Sequence, residues 1–271
     1  MILHTFVEEA DSDEGSFVSK RFLTLTCFAF VALGATAEAA AAGGDGSKPA
    51  PASVSRLVTD VPVTTLNAIG AGKEWKQLTV KKLKGASLKV NDLPEVLMGS
   101  LAWCPHCAVT NWAVAIALSR FGAVTGLHVV DTGTVFKSLK HVKGISFYKS
   151  RYASSLLSFT DVILQTTKGK NFEKPTKAQG KAFESFDRVG NFPAIDVGGA
   201  YGFVNSAFDP SVIAHKSALQ IAQSLADPTS PIAIDIDGFA NVLTAAICTQ
   251  TAQAPSSVCA SPGVTAAAKK L

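Results

Sequence analysis

Trp103-Cys104-Pro105-His106-Cys107 is the stretch of this 271-residue chain with the most chemistry in it. Two thiols with two residues between them suit thiol–disulfide exchange, in which a thiolate attacks one sulfur of a disulfide. A free thiol, with a pKa of about 8.5, is mostly protonated at neutral pH, so one of the pair needs help to ionise. Cys104 placed at a helix start would have that help, because unpaired backbone N–H groups and the positive end of the dipole favour the anion. A protonated His106 would add to it; the alternative for His106 is a passive exposed residue. Cys104 is therefore expected to be the exposed, acidic nucleophile. Cys107, one turn further in, is expected to be the buried resolving thiol. Stabilising the thiolate stabilises the reduced pair, which makes the disulfide a stronger oxidant.

Other chemistries fit the same residues less well. A zinc site would need a second Cys-x-x-Cys or a Cys/His pair at finger spacing, and the chain has neither. Covalent haem would need histidine after the second cysteine, where Ala108 stands. Asp235-Ile236-Asp237-Gly238 resembles the opening of a calcium loop but lacks the closing acid, so no metal and no cofactor is expected. Cys248 and Cys259 form the other close pair. They are expected to make a structural disulfide that ties the C-terminal segment back; the sharper alternative is a second redox pair serving Cys104 and Cys107.

The elements that must position these residues can be read around them. Glu95–Ser100 reads as a buried strand leading into the motif, preceded by an alternating Ser87–Val90 strand and an Asn91-Asp92 turn. Pro105 suits a first helical position. Val109, Trp112, Ala113, Ile116, Ala117 and Arg120 follow at helical spacing up to Gly122. Strands are expected at Leu127–Val130, Ile145–Tyr148 and Leu156–Gln165, and a helix at Ala178–Phe186. Pro193 stands at the entrance of a strand, Phe192–Val197, which Gly198-Gly199 turns into Tyr201–Val204. A trans Pro193 would mark a strand edge; a cis bond would let the preceding backbone face the active sulfur. Asp209-Pro210 opens an expected helix over Ser211–Leu225. Ser230-Pro231 opens a last one with Ile236, Phe239, Leu243 and Ile247 on one stripe.

Four spans follow in chain order. Residues 1–40 hold Lys20-Arg21, an apolar run from Phe22 to Thr36 and an Ala-x-Ala exit, the pattern of a signal peptide or of a membrane anchor through residues 22–37. Residues 41–60, rich in Ala, Gly and Pro, read as a flexible linker. Residues 61–262 form the main domain, and 263–271 a tail. An exported or outward-facing, membrane-anchored location agrees with the cysteines: of five, Cys27 lies in the leader run and the other four form two close pairs. Net charge is only +4 and charged residues make up 17% of the chain, with no basic run interleaved with aromatics, so no nucleic-acid partner is expected.

Trp103 to Cys107, with Pro193 downstream before a strand, resembles the thioredoxin superfamily, and the Pro-His dipeptide is similar to that of DsbA-type oxidases. Val61 to Gly72 (VPVTTLNAIGAG), the ending ALSRFG at residues 117–122, Asp209-Pro210 and LTAAIC at 243–248 resemble the thioredoxin-like domain-of-unknown-function 929 family. The resemblance implies a thioredoxin-like α/β fold with a long insertion, between about Asp131 and Gly190, before the cis-proline strand, and an extra C-terminal helix. It implies redox-active Cys104 and Cys107, supported by Trp103, Pro105, His106 and a cis Pro193, with Cys248 and Cys259 as the C-terminal pair. Where the family carries an acid two residues before the first cysteine, this chain has Ala102. The expected function is thiol–disulfide oxidoreduction on exported proteins, as disulfide donor. Its partners would be substrate proteins with cysteine thiols and a redox partner that resets the disulfide. A reductase or isomerase, or a non-enzymatic binding or structural protein, is the alternative.

Overall fold

The computed structural model describes residues 44–73 and 78–271. Its strands and helices run β1 (Lys48–Pro49), α1 (Ala52–Thr59), α2 (Val63–Ile69), β2 (Thr79–Lys82), β3 (Lys89–Val90), β4 (Leu93–Leu101), α3 (Pro105–Ser119), β5 (Ala123–Thr125), β6 (His128–Asp131), β7 (Lys143–Ser146), β8 (Arg151–Ala153), β9 (Ser158–Gln165), α4 (Lys177–Phe186), β10 (Ala194–Val197), β11 (Tyr201–Val204), α5 (Ala218–Ser224), α6 (Pro231–Gln250), α7 (Ser256–Cys259) and α8 (Pro262–Ala267). The architecture is mixed α/β around a mixed main sheet.

Val96-Leu97-Met98 is apolar on both sides of the pleat, as suits a strand covered on both faces. β4 is accordingly central. β9 pairs with it in parallel, Met98 opposite Asp161, and β10 pairs with it antiparallel on the other side, Ala194 opposite Gly99. β11 and β2 extend the sheet beyond β10, and β3 joins the start of β4. Val96, Met98, Ile195 and Phe203 face a core shared with Trp112, Ile116, Phe239 and Leu243 of α3 and α6. The opposite face is closed by α4, whose Phe183 and Phe186 meet Phe192, Ala194 and Val204. Gly99 permits that closure, since a Cβ there would come within 3.0 Å of both Phe183 and Phe192.

The expected apolar stripe of α3 is in fact a helix buried nearly all round, with His106 and Ser119 the exceptions. A helix apolar on every side needs cover on every side. The second cover is β7, in a small sheet ordered β1-β6-β7. Asn111 Nδ2–H donates to Ile145 O at 2.8 Å and Trp112 Nε1–H to Lys143 O at 3.1 Å. Gly144 sits where a Cβ would lie 2.6 Å from Ala108, so glycine is required for this approach. α6 has the length and apolarity of a membrane span, but 83% of that stretch is buried inside the fold, much of it against α3.

Several expectations are corrected. Residues 1–40 lie outside the described residues, but the expected flexible linker at 41–60 is folded from Gly44 onward. Asp45 is fully buried and accepts hydrogen bonds from Ser47 and Ser146, β1 pairs with β6, and Val54 and Val58, four apart on α1, enter the core. Its composition hid one satisfied acid and one short apolar face. The expected tail at 263–271 is α8 and a closing 3₁₀ turn, with Val264 and Ala267 buried. β9, placed inside the insertion by the sequence, belongs to the main sheet, so between α3 and α4 the strands outside that sheet are β5 to β8. The helix expected over Ser211–Leu225 is broken. A 3₁₀ turn at Pro210–Ile213 ends before His215 at φ +62°, and Ser217 caps a separate α5 through the Gln220 N–H.

The family-like segments converge behind α3. Arg120 donates to Asn241 Oδ1 at 2.8 Å and to Thr244 Oγ1 and Ser261 Oγ at 3.3 Å. Asn241 Nδ2 in turn donates to Leu66 O and Gly70 O, closing the carbonyl end of α2. Burial pushes the Arg120 pKa down to about 10.

Candidate redox site

The motif lies where β4 hands over to α3. Cys104 is the N-cap of the helix in extended backbone, and Pro105 takes the first helical position, where its missing N–H costs nothing. Because β10 runs antiparallel to β4, its entrance comes to the same end of the sheet. The Phe192–Pro193 peptide is cis there, and Phe192 O lies 3.9 Å from Cys104 Sγ. Trp103 is pinned by its Nε1–H, which donates to Gln165 Oε1 at 2.6 Å, at the end of β9. Sequence positions 103–107, 165 and 193 thus meet at one edge, while Cys248 and Cys259 form their own disulfide at the end of α6.

The two free thiols differ in setting. Cys104 is 6% exposed and Cys107 1%, so the expected exposed nucleophile is largely covered and only slightly more open than its neighbour. The Cys107 thiol and then the backbone N–H groups of Cys107 and His106 hold the Cys104 thiol below its usual value, against burial. Burial and the adjacent Cys104 push Cys107 well up, despite a 3.4 Å hydrogen bond from Leu101 N–H.

The His106 ring contributes otherwise than expected. Its Nδ1 is hydrogen-bonded to Ser206 Oγ at 2.7 Å, not to a sulfur, and burial lowers its pKa against a raising pull from Asp209. Ala102 stands where an acid might have come from the motif itself, yet the site has an acid from another strand. Asp161, on β9, is partly buried, takes a hydrogen bond from Ser100 Oγ at 2.9 Å, and the loss of water around it pushes its pKa up to about 8; its charge also raises Cys107. The only sequence signal for it is an ionisable residue in the middle of the Leu156–Gln165 strand run. Ser206 and Gln165 carry no signal and Asp209 signals only a helix start, their contacts with the motif spanning 62 to 103 positions.

Among the described residues no group of three or more His, Cys, Asp or Glu side chains is placed to hold a metal ion. No curated protein and no solved structure matches the chain. Over residues 79–182, from β2 into α4 and including Cys104, Cys107 and Asp161, the chain matches the family model described as Domain of unknown function (DUF929), which supports the family resemblance over that stretch.

Proposed function

We propose that the chain is a thioredoxin-like thiol–disulfide oxidoreductase of exported proteins, acting as a disulfide donor. The observation that carries this reading is the inequality of the two thiols: Cys104 at a helix start, eased towards thiolate, and Cys107 sealed beneath it. The strand order β9-β4-β10-β11, with one parallel pair, and the carbonyl before Pro193 facing Cys104 support the thioredoxin-like part.

In the donor direction a substrate thiolate attacks Cys104 Sγ of the oxidised pair. The Cys104–Cys107 bond breaks and a mixed disulfide forms. Cys107 leaves as thiolate and takes a proton, for which the protonated Asp161 carboxyl is the neighbouring donor. A second substrate thiolate then attacks the substrate sulfur of the mixed disulfide and expels Cys104, whose thiolate is the stabilised one. The substrate has lost two electrons to the pair, and a partner disulfide must take them back.

Equilibration of the purified protein with glutathione buffers tests the direction. A potential near about −120 mV is the expected donor value, and one near about −270 mV would assign the chain to the reductases instead. Cys104→Ser should abolish exchange with a dithiol peptide, and Cys107→Ser should accumulate a mixed disulfide at Cys104, visible on a non-reducing gel. If reduced Cys104 is alkylated no faster than free cysteine near pH 6, the oxidoreductase reading is lost.

A further inference from the structure

His106 sits between the two cysteines, yet its ring is spoken for elsewhere. Nδ1 lies 2.7 Å from Ser206 Oγ, and the Ser206 hydroxyl donates to Phe208 O at 2.8 Å. A hydroxyl has one proton to give. With that proton directed at Phe208 O, Ser206 can only accept from His106, so Nδ1 carries a proton in both the neutral and the charged ring. The proton that comes and goes is then the one on Nε2. Phe136, from the loop after β6, braces the ring edge-on with centroids 5.9 Å apart. The charge acting on the ring is Asp209, from the same loop as Ser206 and itself fixed by the Ser211 N–H. On its own helix the titratable neighbours are Cys104 and Cys107. Ser206 is completely buried, so the arrangement belongs to the packed structure.

We propose that Ser206 is a positioning residue of the redox site: it locks His106 in the Nδ1–H form and turns the ring towards the Ser206–Asp209 loop, away from duty as a partner of the Cys104 thiolate. This rests on the oxidoreductase reading. Its consequence is that the Pro-His dipeptide does not by itself make the pair a strong oxidant. Cys104 depends on the Cys107 thiol and the helix-start N–H groups, and the imidazolium charge is answered by Asp209.

The first test uses the unmodified protein. Long-range proton–nitrogen NMR of the histidine rings should show neutral His106 protonated at Nδ1; a neutral ring protonated at Nε2 overturns the proposal. The second follows the Cys104 thiolate by its ultraviolet absorbance during pH titration. Ser206→Ala should release the ring and lower the Cys104 midpoint by about one pH unit, the size of shift a nearby opposite charge produces. The potential should become more oxidising with it. Adding His106→Ala to that variant should return the midpoint to the wild-type value, and Ser206→Thr, which keeps the acceptor, should leave it there. A folded Ser206→Ala with an unchanged midpoint overturns the positioning role, and if that variant does not fold the wild-type tautomer decides. An Nδ1–H ring in a protein without thiol exchange would instead sink the oxidoreductase reading and leave the hydrogen bond standing.

Discussion

The two cysteine pairs sit at opposite ends of helices. Cys104 caps the start of α3, where the first N–H groups have no partner in the helix and point at its sulfur. Cys248 lies in the last turn of α6 and Cys259 ends α7, where the negative end of the helix dipole opposes a thiolate. Both pairs are buried, so exposure does not separate them. The first pair has an acidic thiol, a neighbouring carboxyl and an opposing loop. The second is a closed bond across 11 positions that holds the C-terminal helices on the core. The settings differ in two ways: Cys104 has a second thiol and helix-start N–H groups beside it, whereas Cys248 and Cys259 are closed into a bond at helix ends.

Removing the second pair should cost the most stability. Cys248→Ser with Cys259→Ser should lower unfolding stability by about 3 kcal/mol, the chain-entropy value for a loop of this length, while the alkylation rate of Cys104 stays as it was. A changed Cys104 rate would show that the pairs communicate and break the contrast. Arg120→Ala should follow at about 2 kcal/mol in denaturant titration, because Asn241, Thr244 and Ser261 lose their shared donor inside the fold. It too should spare Cys104.

On the redox side, Asp161→Asn should slow exchange by about a hundredfold at pH 7, the lower end of the usual range for a positioned proton donor, since a carboxyl titrating near 8 is mostly in its donor form there. The same group gives a stability signature. Its folded pKa is raised above the unfolded value, so its contribution is intact below about pH 4 and is lost progressively as pH rises towards 8. The variant should flatten that decline in urea titrations between those pH values.

A further carboxyl lies on α6. Asp237 is fully buried, its two oxygens accept no hydrogen bond, and burial pushes its pKa well up. Asp237→Asn should therefore stabilise the fold more at pH 8 than at pH 4, measured by the same titrations, since only the wild-type group loses stability as pH rises. An Asp161→Asn profile that already removes the whole pH dependence would contradict a separate share for Asp237.

Much of the local structure was legible. β11 falls on Tyr201–Val204 as read, and α6 begins at Pro231 after Ser230. Those features depend on short-range rules: alternation, helical spacing, proline at a helix start. The readings that failed were of two kinds. Residues 44–60 looked too poor in apolar content to fold, but Val54, Val58 and a buried Asp45 needed only a surface to receive them. Ser211–Leu225 looked like one helix because its pattern allows one. The break at His215 lies between two local caps, Asp209 for the 3₁₀ turn and Ser217 for α5.

By itself the sequence determined that Cys104 would start a helix, because Pro105 and the run to Ser119 leave few other conformations, and that β4 would be buried on both faces. Tertiary structure decided what surrounds the sulfur. Phe192 O arrives because β10 runs antiparallel to β4, Asp161 because β9 runs parallel to it, and Ser206 because the loop after β11 closes over the helix start. Helical and strand patterns are enforced over a few residues by backbone geometry. A side chain's partner 100 positions away is selected only when separately formed elements pack, and here that packing gave the His106 ring to Ser206 rather than to Cys104.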